Sequence, residues 1–408
     1  MPLPSDLRPH CPARERLVTW KPAKQRTLRD ASGNPLTLPE DYVNRIQLVL
    51  SHGYAASTLE TYAAGLLAYH AFCDARNIPE DQRAPCSSDL LSTWVATMAG
   101  NYAGTSVKNY VNGIRAWHII HGIEWNIDQN TLDTMIKGAE RLRPVHSRQE
   151  KCHPFTVSYI TQILTDFNPT DPFDVACAAC LTTSFYCIAR VGELTVPRLQ
   201  AFSPDQHITP MNIRRATDRN GFETTVLHVP RTKSSQIEGE DLYFSKQLGS
   251  TNPELLLQNH LALNRPEPSE HLFTYSHGPA RKPTRRPLTK AAFLQRVQKA
   301  AKNKDMSVIQ GHGIRIGATL EYLLRGVPFD AVRVIGRWKS DAFLLYLRKH
   351  AEIMAPYMQP ELHQELIRYS MPPIRCKCPP TVRGFTVAEC VVHSYLLGIA
   401  ANRELQDL

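Results

Sequence analysis

Residues 311–350 read GHGIRIGATLEYLLRGVPFDAVRVIGRWKSDAFLLYLRKH. Apolar residues recur at helical spacing along this stretch, which predicts helices that are interrupted at Gly326 and Gly336. His312 and Arg315 lie near its start as an H-x-x-R pair, and Tyr346 lies near its end. Such a pair is common by chance, and a tyrosine on an amphipathic helix usually packs in a core. Neither feature alone indicates a function.

Two earlier stretches carry residues of related chemistry. Residues 184–199, SFYCIARVGELTVPRL, contain Arg190 and Glu193, whose i,i+3 spacing is also that of an ordinary helical ion pair. Residues 229–236, VPRTKSSQ, contain Lys233. A β-branched, alternating segment at 222–229 and a second apolar segment at 241–244 flank it. The sequence therefore predicts a β-hairpin with Lys233 at its turn.

In this order, the residues resemble those of the tyrosine recombinases, the phage-integrase family of enzymes that break and rejoin DNA. The family has an arginine in an R-x-x-E context, a lysine on a β-turn, an H-x-x-R pair, a glycine followed by histidine or tryptophan, and finally a tyrosine. The resemblance covers roughly residues 40–360 and places this pattern on Arg190 with Glu193, Lys233, His312 with Arg315, Gly336 with Arg337 and Trp338, and Tyr346. Residues 314–350 are most similar to recombinases of eukaryotic mobile elements of the Crypton or DIRS type.

The position of the family's second histidine or tryptophan has two candidates. Arg337 lies nine positions before Tyr346, which is the family's spacing, whereas Trp338 has the family's residue type. We favour Trp338 because its indole N–H can donate a hydrogen bond. Arg337 then has a supporting role.

The resemblance implies that Tyr346 attacks a phosphodiester and keeps the phosphate as a 3′-phosphotyrosine, so that bond energy is stored without a nucleotide cofactor. Cleavage without a metal ion needs positive charge around the transition state. Arg190 and Arg315 can each direct two N–H donors at non-bridging oxygens. Glu193 would orient the guanidinium of Arg190. We therefore expect neither a cofactor nor a metal ion.

The remaining steps are proton transfers. Lys233 is a better donor to the leaving 5′-oxygen than Arg231, because a guanidinium does not release its proton. His312 can accept the proton of the tyrosine hydroxyl or bind the phosphate.

The expected fold class is mainly α with a small β-sheet, as a helical core-binding domain followed by an α+β tyrosine-recombinase catalytic domain. Residues 1–39 are rich in proline and basic residues and predict a flexible arm. We expect the core-binding domain at 40–143, a linker at 144–154, the catalytic domain at 155–370 and a C-terminal extension of unassigned role at 371–408. Thr58 with Tyr62 and Thr105 with Tyr110 resemble threonine–tyrosine pairs of the family's core-binding domain. Thr105 and Lys108 are expected to contact DNA.

Positive charge points to the same partner. The sequence has 47 lysines and arginines against 38 acidic residues, and residues 281–304 contain nine basic residues and no acid. RKPTRRP at 281–287 predicts a loop, and a basic helix with Thr289 near its start follows. The segment could instead be a solvated surface. The residues expected to contact double-stranded DNA here are Arg281, Lys282, Arg285, Arg286, Lys290 and Arg296.

Composition excludes several other classes of protein. No run of 18 apolar residues occurs, so no membrane span is expected, and the N-terminal residues lack a secretory layout. Ten scattered cysteines fit an intracellular protein, nuclear if eukaryotic. Cys376, Cys378, Cys390 and His393 could be zinc ligands, but the C-x-C spacing is poor for a zinc site.

Three functions are compatible with these patterns. The first is a site-specific recombinase that acts as a homotetramer on two paired DNA sites. The second is a catalytically idle, domesticated DNA-binding protein, which the intact Arg190, Lys233, His312, Arg315 and Tyr346 argue against. The third is a DNA-relaxing enzyme of the type IB topoisomerase kind. The separate core-binding module favours recombination.

Overall fold

The structure is a computed structural model that describes residues 2–24, 26, 28–34, 36, 39–147, 151–279 and 281–358. The chain divides into two compact units, Met1–Lys151 and Cys152–Leu408. The division falls within the segment expected to be a linker. The C-terminal extension expected at 371–408 lies outside the described residues.

The first unit consists of helices. They are α1 (Arg16–Thr19), α2 (Glu40–His52), α3 (Ala56–Ala75), α4 (Glu80–Arg83), α5 (Ser88–Met98), α6 (Gly104–His121) and α7 (Gln129–Arg141). Side chains at the helix starts explain several of these boundaries. The side chains of Ser87 and Asp128 accept hydrogen bonds from the N–H groups of Leu90 and Thr131, which cap α5 and α7. Gly122 ends α6 in the left-handed conformation.

The two longest helices of this unit approach each other closely. A Cβ added at Gly65 of α3 would lie 2.4 Å from the Cα of Tyr110, and one added at Gly113 of α6 would lie 2.3 Å from the carbonyl oxygen of Tyr62. Only glycine permits this backbone contact at both positions. Trp94 and Trp117 are buried in two separate hydrophobic clusters of this unit, each of which includes residues of α3 and α6.

The N-terminal segment differs from the flexible arm expected for residues 1–39. Leu17 and Trp20 are buried against α3 and α6, and the indole Nε1 of Trp117 donates to the carbonyl oxygen of Trp20 at 2.7 Å. Arg8 forms ion pairs with Asp74 and Glu80. The expectation of flexibility was therefore wrong for the residues up to Trp20, because scattered apolar side chains among the prolines complete the hydrophobic core.

The second unit combines helices with two antiparallel sheets. Its helices are α8 (Val157–Leu164), α9 (Pro172–Tyr186), α10 (Pro253–Asn264), α11 (Lys290–Asn303), α12 (His312–Leu324), α13 (Phe329–Ile335) and α14 (His350–Met358). Its strands are β1 (Ile213–Thr217), β2 (Glu223–Val229), β3 (Glu240–Phe244), β4 (Tyr275–His277) and β5 (Thr284–Arg286). The expected fold class, mainly α with a small sheet, is confirmed. Within the described ranges, every helix is too short or too polar to cross a lipid bilayer.

The predicted hairpin is part of a three-stranded sheet in the order β1-β2-β3, with Val226 of β2 opposite Tyr243 of β3. The sequence did not predict β1. It also predicted a loop for RKPTRRP, whereas Thr284–Arg286 is strand β5, paired with β4. The core of the unit lies around α9, which is buried from Asp174 to Tyr186 and is capped by the Asp171 side chain.

Candidate active site

Arg190 and Glu193 form a fixed pair directly after α9. Arg190 precedes a single 3-10 turn, Val191–Glu193. The backbone N–H of Arg190 donates to Oε2 of Glu193 at 2.9 Å, and Nη1 of Arg190 donates to Oε1 at 2.8 Å. The Glu193 side chain is 6% exposed, whereas that of Arg190 is 33% exposed. The carboxylate therefore fixes the guanidinium while leaving part of it accessible.

Glu193 is ionised in this setting. Burial by itself would raise the pKa of Glu193, but the charge and hydrogen bonds of Arg337 and the hydrogen bonds of Arg190 outweigh burial, so that its pKa lies below the ordinary value. A charged carboxylate accepts stronger hydrogen bonds than a neutral one. The ionised carboxylate of Glu193 therefore holds the backbone and the guanidinium of Arg190 in place.

Arg315 is buried, and its hydrogen bonds go to carbonyl groups. Its residue is 1% exposed, Nη1 donates to the carbonyl oxygen of Ile188 at 2.7 Å, and Nη2 donates to that of Gly336 at 2.5 Å. No carboxylate among the described residues forms an ion pair with it. Burial, with repulsion from Arg190, lowers the pKa of Arg315. The charge of Glu193 offsets part of this effect and raises the pKa of Arg315, but no described carboxylate lies within ion-pair distance, so the guanidinium can accommodate an anion as an additional partner.

Two aromatic rings lie against this arginine, and a third ring packs on one of them. The guanidinium carbon of Arg315 lies 4.2 Å from the centre of the Trp338 ring and 5.6 Å from that of Tyr346. The ring of Tyr346 lies 5.0 Å from that of His312 and 5.0 Å from that of Trp338. Tyr346 itself ends a 3-10 turn, Asp341–Tyr346. The structure therefore brings His312, Arg315, Trp338 and Tyr346 into one cluster.

His312 is the first residue of α12 and is exposed. Partial desolvation of its ring lowers its pKa, and the positive charges of Arg315, Arg348 and Arg190 lower it further. The imidazole is therefore neutral at neutral pH and able to accept a proton. Its ring contact with Tyr346 puts that acceptor beside the phenol.

Arg337 and Trp338 occupy different surroundings, although they are adjacent in sequence. Trp338 is 8% exposed and packs on Arg315 and Tyr346, and its buried indole Nε1 has no hydrogen-bond partner among the residues that the structure describes. Arg337 adopts a left-handed conformation, with φ of 58°. Its Nη2 lies 2.7 Å from Oε2 of Glu193, and its Nη1 lies 3.2 Å from Oε2 of Glu240. Trp338 is thus the one that contacts the tyrosine ring.

Lys233 lies in the turn between β2 and β3 and is exposed. The turn is held by its other residues. The hydroxyl groups of Thr232 and Ser234 donate to Oε2 of Glu240 at 2.8 and 3.0 Å, and Nζ of Lys339 donates to the carbonyl oxygen of Ser234 at 3.1 Å. The Lys233 backbone is thereby joined to the segment that carries Trp338.

Sequence reasoning missed two residues of this site. Glu240 is an acidic residue at the start of a strand, and Ile188 offers only its carbonyl oxygen. Their partners Arg337 and Arg315 lie 97 and 127 positions away in sequence. No local pattern marks either of them.

The basic segment expected to face DNA contains two arginines that are already bound to protein groups. Arg296 is held by Asp174 and Asp166, with Nε and Nη1 distances of 2.5 and 2.9 Å. Its side chain is 11% exposed. Both carboxylates already pair with Arg296, so in this structure its charge is used within the protein, and its contact with DNA stays a prediction. Arg285 binds Glu270 and the carbonyl oxygens of Asn264 and Arg265.

The other members of this set are placed differently. Arg281, Lys282 and Lys290 are exposed, and Arg286 is partly buried at the end of β5. In the first unit, Thr105 and Lys108 are exposed on the N-terminal part of α6. Cys376, Cys378, Cys390 and His393 lie outside the described residues.

No family model and no curated protein matches this chain. Among solved structures, the chain is similar to the XerH site-specific recombinase bound to palindromic difH substrate, at 12% identity over 78% of this chain and 84% of that chain, with a TM-score of 0.48. A lambda integrase dimer bound to a COC′ core site is 13% identical over 76% of this chain and 77% of that chain, with a TM-score of 0.45. At these identities and TM-scores, the similarities do not establish membership of a family.

Proposed function

We propose that this protein is a site-specific DNA recombinase that cleaves and rejoins DNA through a 3′-phosphotyrosine. The observation that carries the proposal is the buried guanidinium of Arg315, which forms no direct ion pair with a described carboxylate and lies against the ring of Tyr346. A buried cation without a carboxylate partner is costly unless an anion completes it. A phosphate supplies that anion, and the phenol beside it supplies a nucleophile.

The proposed chemistry balances with the residues of this cluster and of the β2–β3 turn. The Tyr346 oxygen attacks phosphorus, the bond from phosphorus to the 5′-oxygen breaks, and the 3′-phosphate remains on the tyrosine. His312 takes the phenolic proton, and Lys233 gives a proton to the 5′-oxygen. Arg190 and Arg315 hold the non-bridging oxygens as negative charge builds up. The reverse steps, with a 5′-hydroxyl from a second strand, reseal the DNA.

The cluster is closed in this structure. Arg315 is 1% exposed, with Trp338 and Tyr346 against it. A phosphate therefore reaches Arg315 only when the Tyr346 ring moves away from the guanidinium. We propose that DNA binding brings about this movement, so that Tyr346, which is half-buried here, becomes fully accessible on the substrate.

The partner is double-stranded DNA, and the active assembly is a homotetramer on two sites. We further propose a source in a mobile element of the Crypton or DIRS type, and a nuclear location. Two alternatives remain distinct: an idle DNA-binding protein would bind DNA without forming an adduct, and a relaxing enzyme would form an adduct without joining two sites.

The test uses nicked suicide substrates built from the DNA that flanks the gene. We expect the full chain to form a covalent protein–DNA adduct that persists in excess EDTA. Tyr346→Phe should abolish the adduct and leave DNA binding within a few fold, because only the phenolic oxygen is lost. The matched control is Tyr159→Phe, since the Tyr159 hydroxyl donates to the carbonyl oxygen of Ser307, away from the cluster. An adduct that maps to Tyr357, Tyr369 or Tyr395 would contradict the assignment.

A further inference from the structure

Arg337 bridges two parts of the second unit that are far apart in sequence. Its side chain is 9% exposed, and its two terminal nitrogens contact two different carboxylates, those of Glu193 and Glu240. Glu193 is the residue that fixes Arg190. One end of the Arg337 bridge therefore contacts the same carboxylate that holds Arg190.

The other end of the bridge acts on the turn that carries Lys233. Oε2 of Glu240 accepts from Nη1 of Arg337 and also from the hydroxyl groups of Thr232 and Ser234, the two neighbours of Lys233. The backbone of the turn is closed by the Thr232 N–H, which donates to the carbonyl oxygen of Ser235 at 2.8 Å. A single carboxylate thus connects the bridge to both sides of Lys233.

We propose that Arg337 is a positioning residue that sets Arg190 and the Lys233 turn in one fixed arrangement through Glu193 and Glu240. The roles of Arg190 and Lys233 rest on the proposed function, whereas the mechanical coupling between the two segments does not. In this arrangement the group that binds phosphate and the group that protonates the leaving oxygen cannot shift independently.

An arginine suits this role better than a lysine. The planar guanidinium presents separate donors at fixed angles, so that it can hold two carboxylates at once, whereas an ammonium is a point charge on a flexible stem. The left-handed backbone of Arg337 is uncommon for a residue with a side chain. It turns this side chain towards the carboxylates, while the adjacent Trp338 packs on Tyr346.

The first experiment measures the coupling without DNA, by amide hydrogen exchange in the full chain. Arg337→Met should speed exchange about tenfold or more in two separate windows, residues 187–194 and 230–237, because each loses a charge-assisted hydrogen bond. Glu240→Gln should speed exchange mainly in the second window. The exchange rates of Arg337→Lys should lie between those of Arg337→Met and those of the unaltered chain. Arg337→Lys replaces Arg337→Met in the test if Arg337→Met fails to fold.

The matched control is Asp174→Asn, which also neutralises one carboxylate of a buried arginine pair in the same unit. It should leave both windows unchanged. The proposal is overturned if Arg337→Met affects one window alone or neither, or if Asp174→Asn loosens both windows equally.

The second experiment measures cleavage of suicide substrates with either oxygen or sulfur at the 5′-bridging position. A thiolate leaves without a proton, so sulfur removes the need for Lys233. Glu240→Gln should slow cleavage of the oxygen substrate about tenfold. On the sulfur substrate, its cleavage rate should return to that of the unaltered chain. Arg337→Met should be slow on both substrates, because the Arg190 pair is also released. Asp174→Asn should keep the sulfur-to-oxygen ratio of the unaltered chain.

The two experiments separate the two proposals. If the unaltered chain forms no adduct on any substrate, the proposed function fails, and the exchange result still decides whether Arg337 couples the segments. If adducts form but Glu240→Gln has the same sulfur-to-oxygen ratio as the unaltered chain, the positioning role of Arg337 fails and the recombinase proposal stands.

Discussion

Two buried arginines of the second unit have opposite electrostatic surroundings. Arg296 on α11 contacts both Asp166 and Asp174 and lies over the ring of Phe167, with its guanidinium carbon 4.3 Å from the ring centre. Arg315 on α12 contacts the carbonyl oxygens of Ile188 and Gly336 and the rings of Trp338 and Tyr346. Arg296 forms direct ion pairs with two carboxylates, whereas Arg315 experiences the charge of Glu193 without a direct ion pair among the described residues.

The ionisation of the two groups follows this difference. At Arg296 the hydrogen bonds and charges of Asp174 and Asp166 outweigh burial and hold the pKa above its ordinary value. At Arg315 burial lowers the pKa, and the charge of Arg190 lowers it further. The comparison teaches that a buried arginine with carboxylates contributes to the fold, whereas one without them is available for an anionic ligand.

The largest expected effect concerns cleavage by variants of Arg315. Arg315→Met should slow adduct formation on a suicide substrate by about 10² to 10³, the usual cost of removing one donor from an oxyanion site. Arg315→Lys should retain part of the rate, since it keeps the charge and loses the fork. Quantifying the adduct over time in gels checks this. If Arg315→Met cleaved at the rate of the unaltered chain, Arg315 would have no role in cleavage, and the functional difference between Arg315 and Arg296 would be disproved.

The second expected effect concerns stability. Arg296→Met should lower the free energy of unfolding of the second unit by about 3 kcal/mol, because two carboxylates lose their partner. Arg315→Met should lower it less, since removal of a buried charge that is repelled by Arg190 offsets two lost hydrogen bonds to carbonyl groups. Urea titration of the full chain, followed by hydrogen exchange in peptides of α9, measures both. An equal loss in the two variants would show that Arg315 is also a structural cation.

The smallest expected effect concerns the salt dependence of DNA binding. Each of Arg281, Lys282 and Lys290 that contacts a phosphate should flatten the slope of log K against log salt by about 0.9 when changed to glutamine. Arg296→Gln should leave the slope unchanged, because Arg296 is already neutralised. The loss should be similar on cognate and random DNA. A flatter slope for Arg296→Gln would mean that its ion pairs open on DNA.

Much of this organisation could be predicted from the sequence where the signal is local. Alternation over 222–229 predicted β2, and Thr289 marked a helix start that the structure confirms. Strand β5 was missed because its residues, Thr-Arg-Arg, lie between prolines and lack an apolar alternation. Leu17 and Trp20 were missed because a short apolar pair in a proline-rich segment reveals its burial only through tertiary contact.

The candidate site shows the same limit more sharply. The main site residues could be predicted because each lies in a short motif. They are Arg190, Lys233, His312, Arg315 and Tyr346. Whether each arginine forms an ion pair could not be predicted from the sequence, since the carboxylates of Asp174 and Asp166 lie 122 and 130 positions from Arg296. Nine basic residues in one segment look equivalent in sequence. Long-range ion pairs, which no local pattern records, separate the neutralised ones from the available ones.

The tryptophan in this cluster is also an internal spectroscopic probe. The sequence has five tryptophans, and Trp338 is the one that follows residue 151. Its indole touches a guanidinium and a phenol, two groups whose departure alters the excited state and the local magnetic environment of the ring. A fluorine-labelled indole at Trp338 would therefore give one resonance that follows the opening of the Arg315 cluster directly, with no dye attached to the chain.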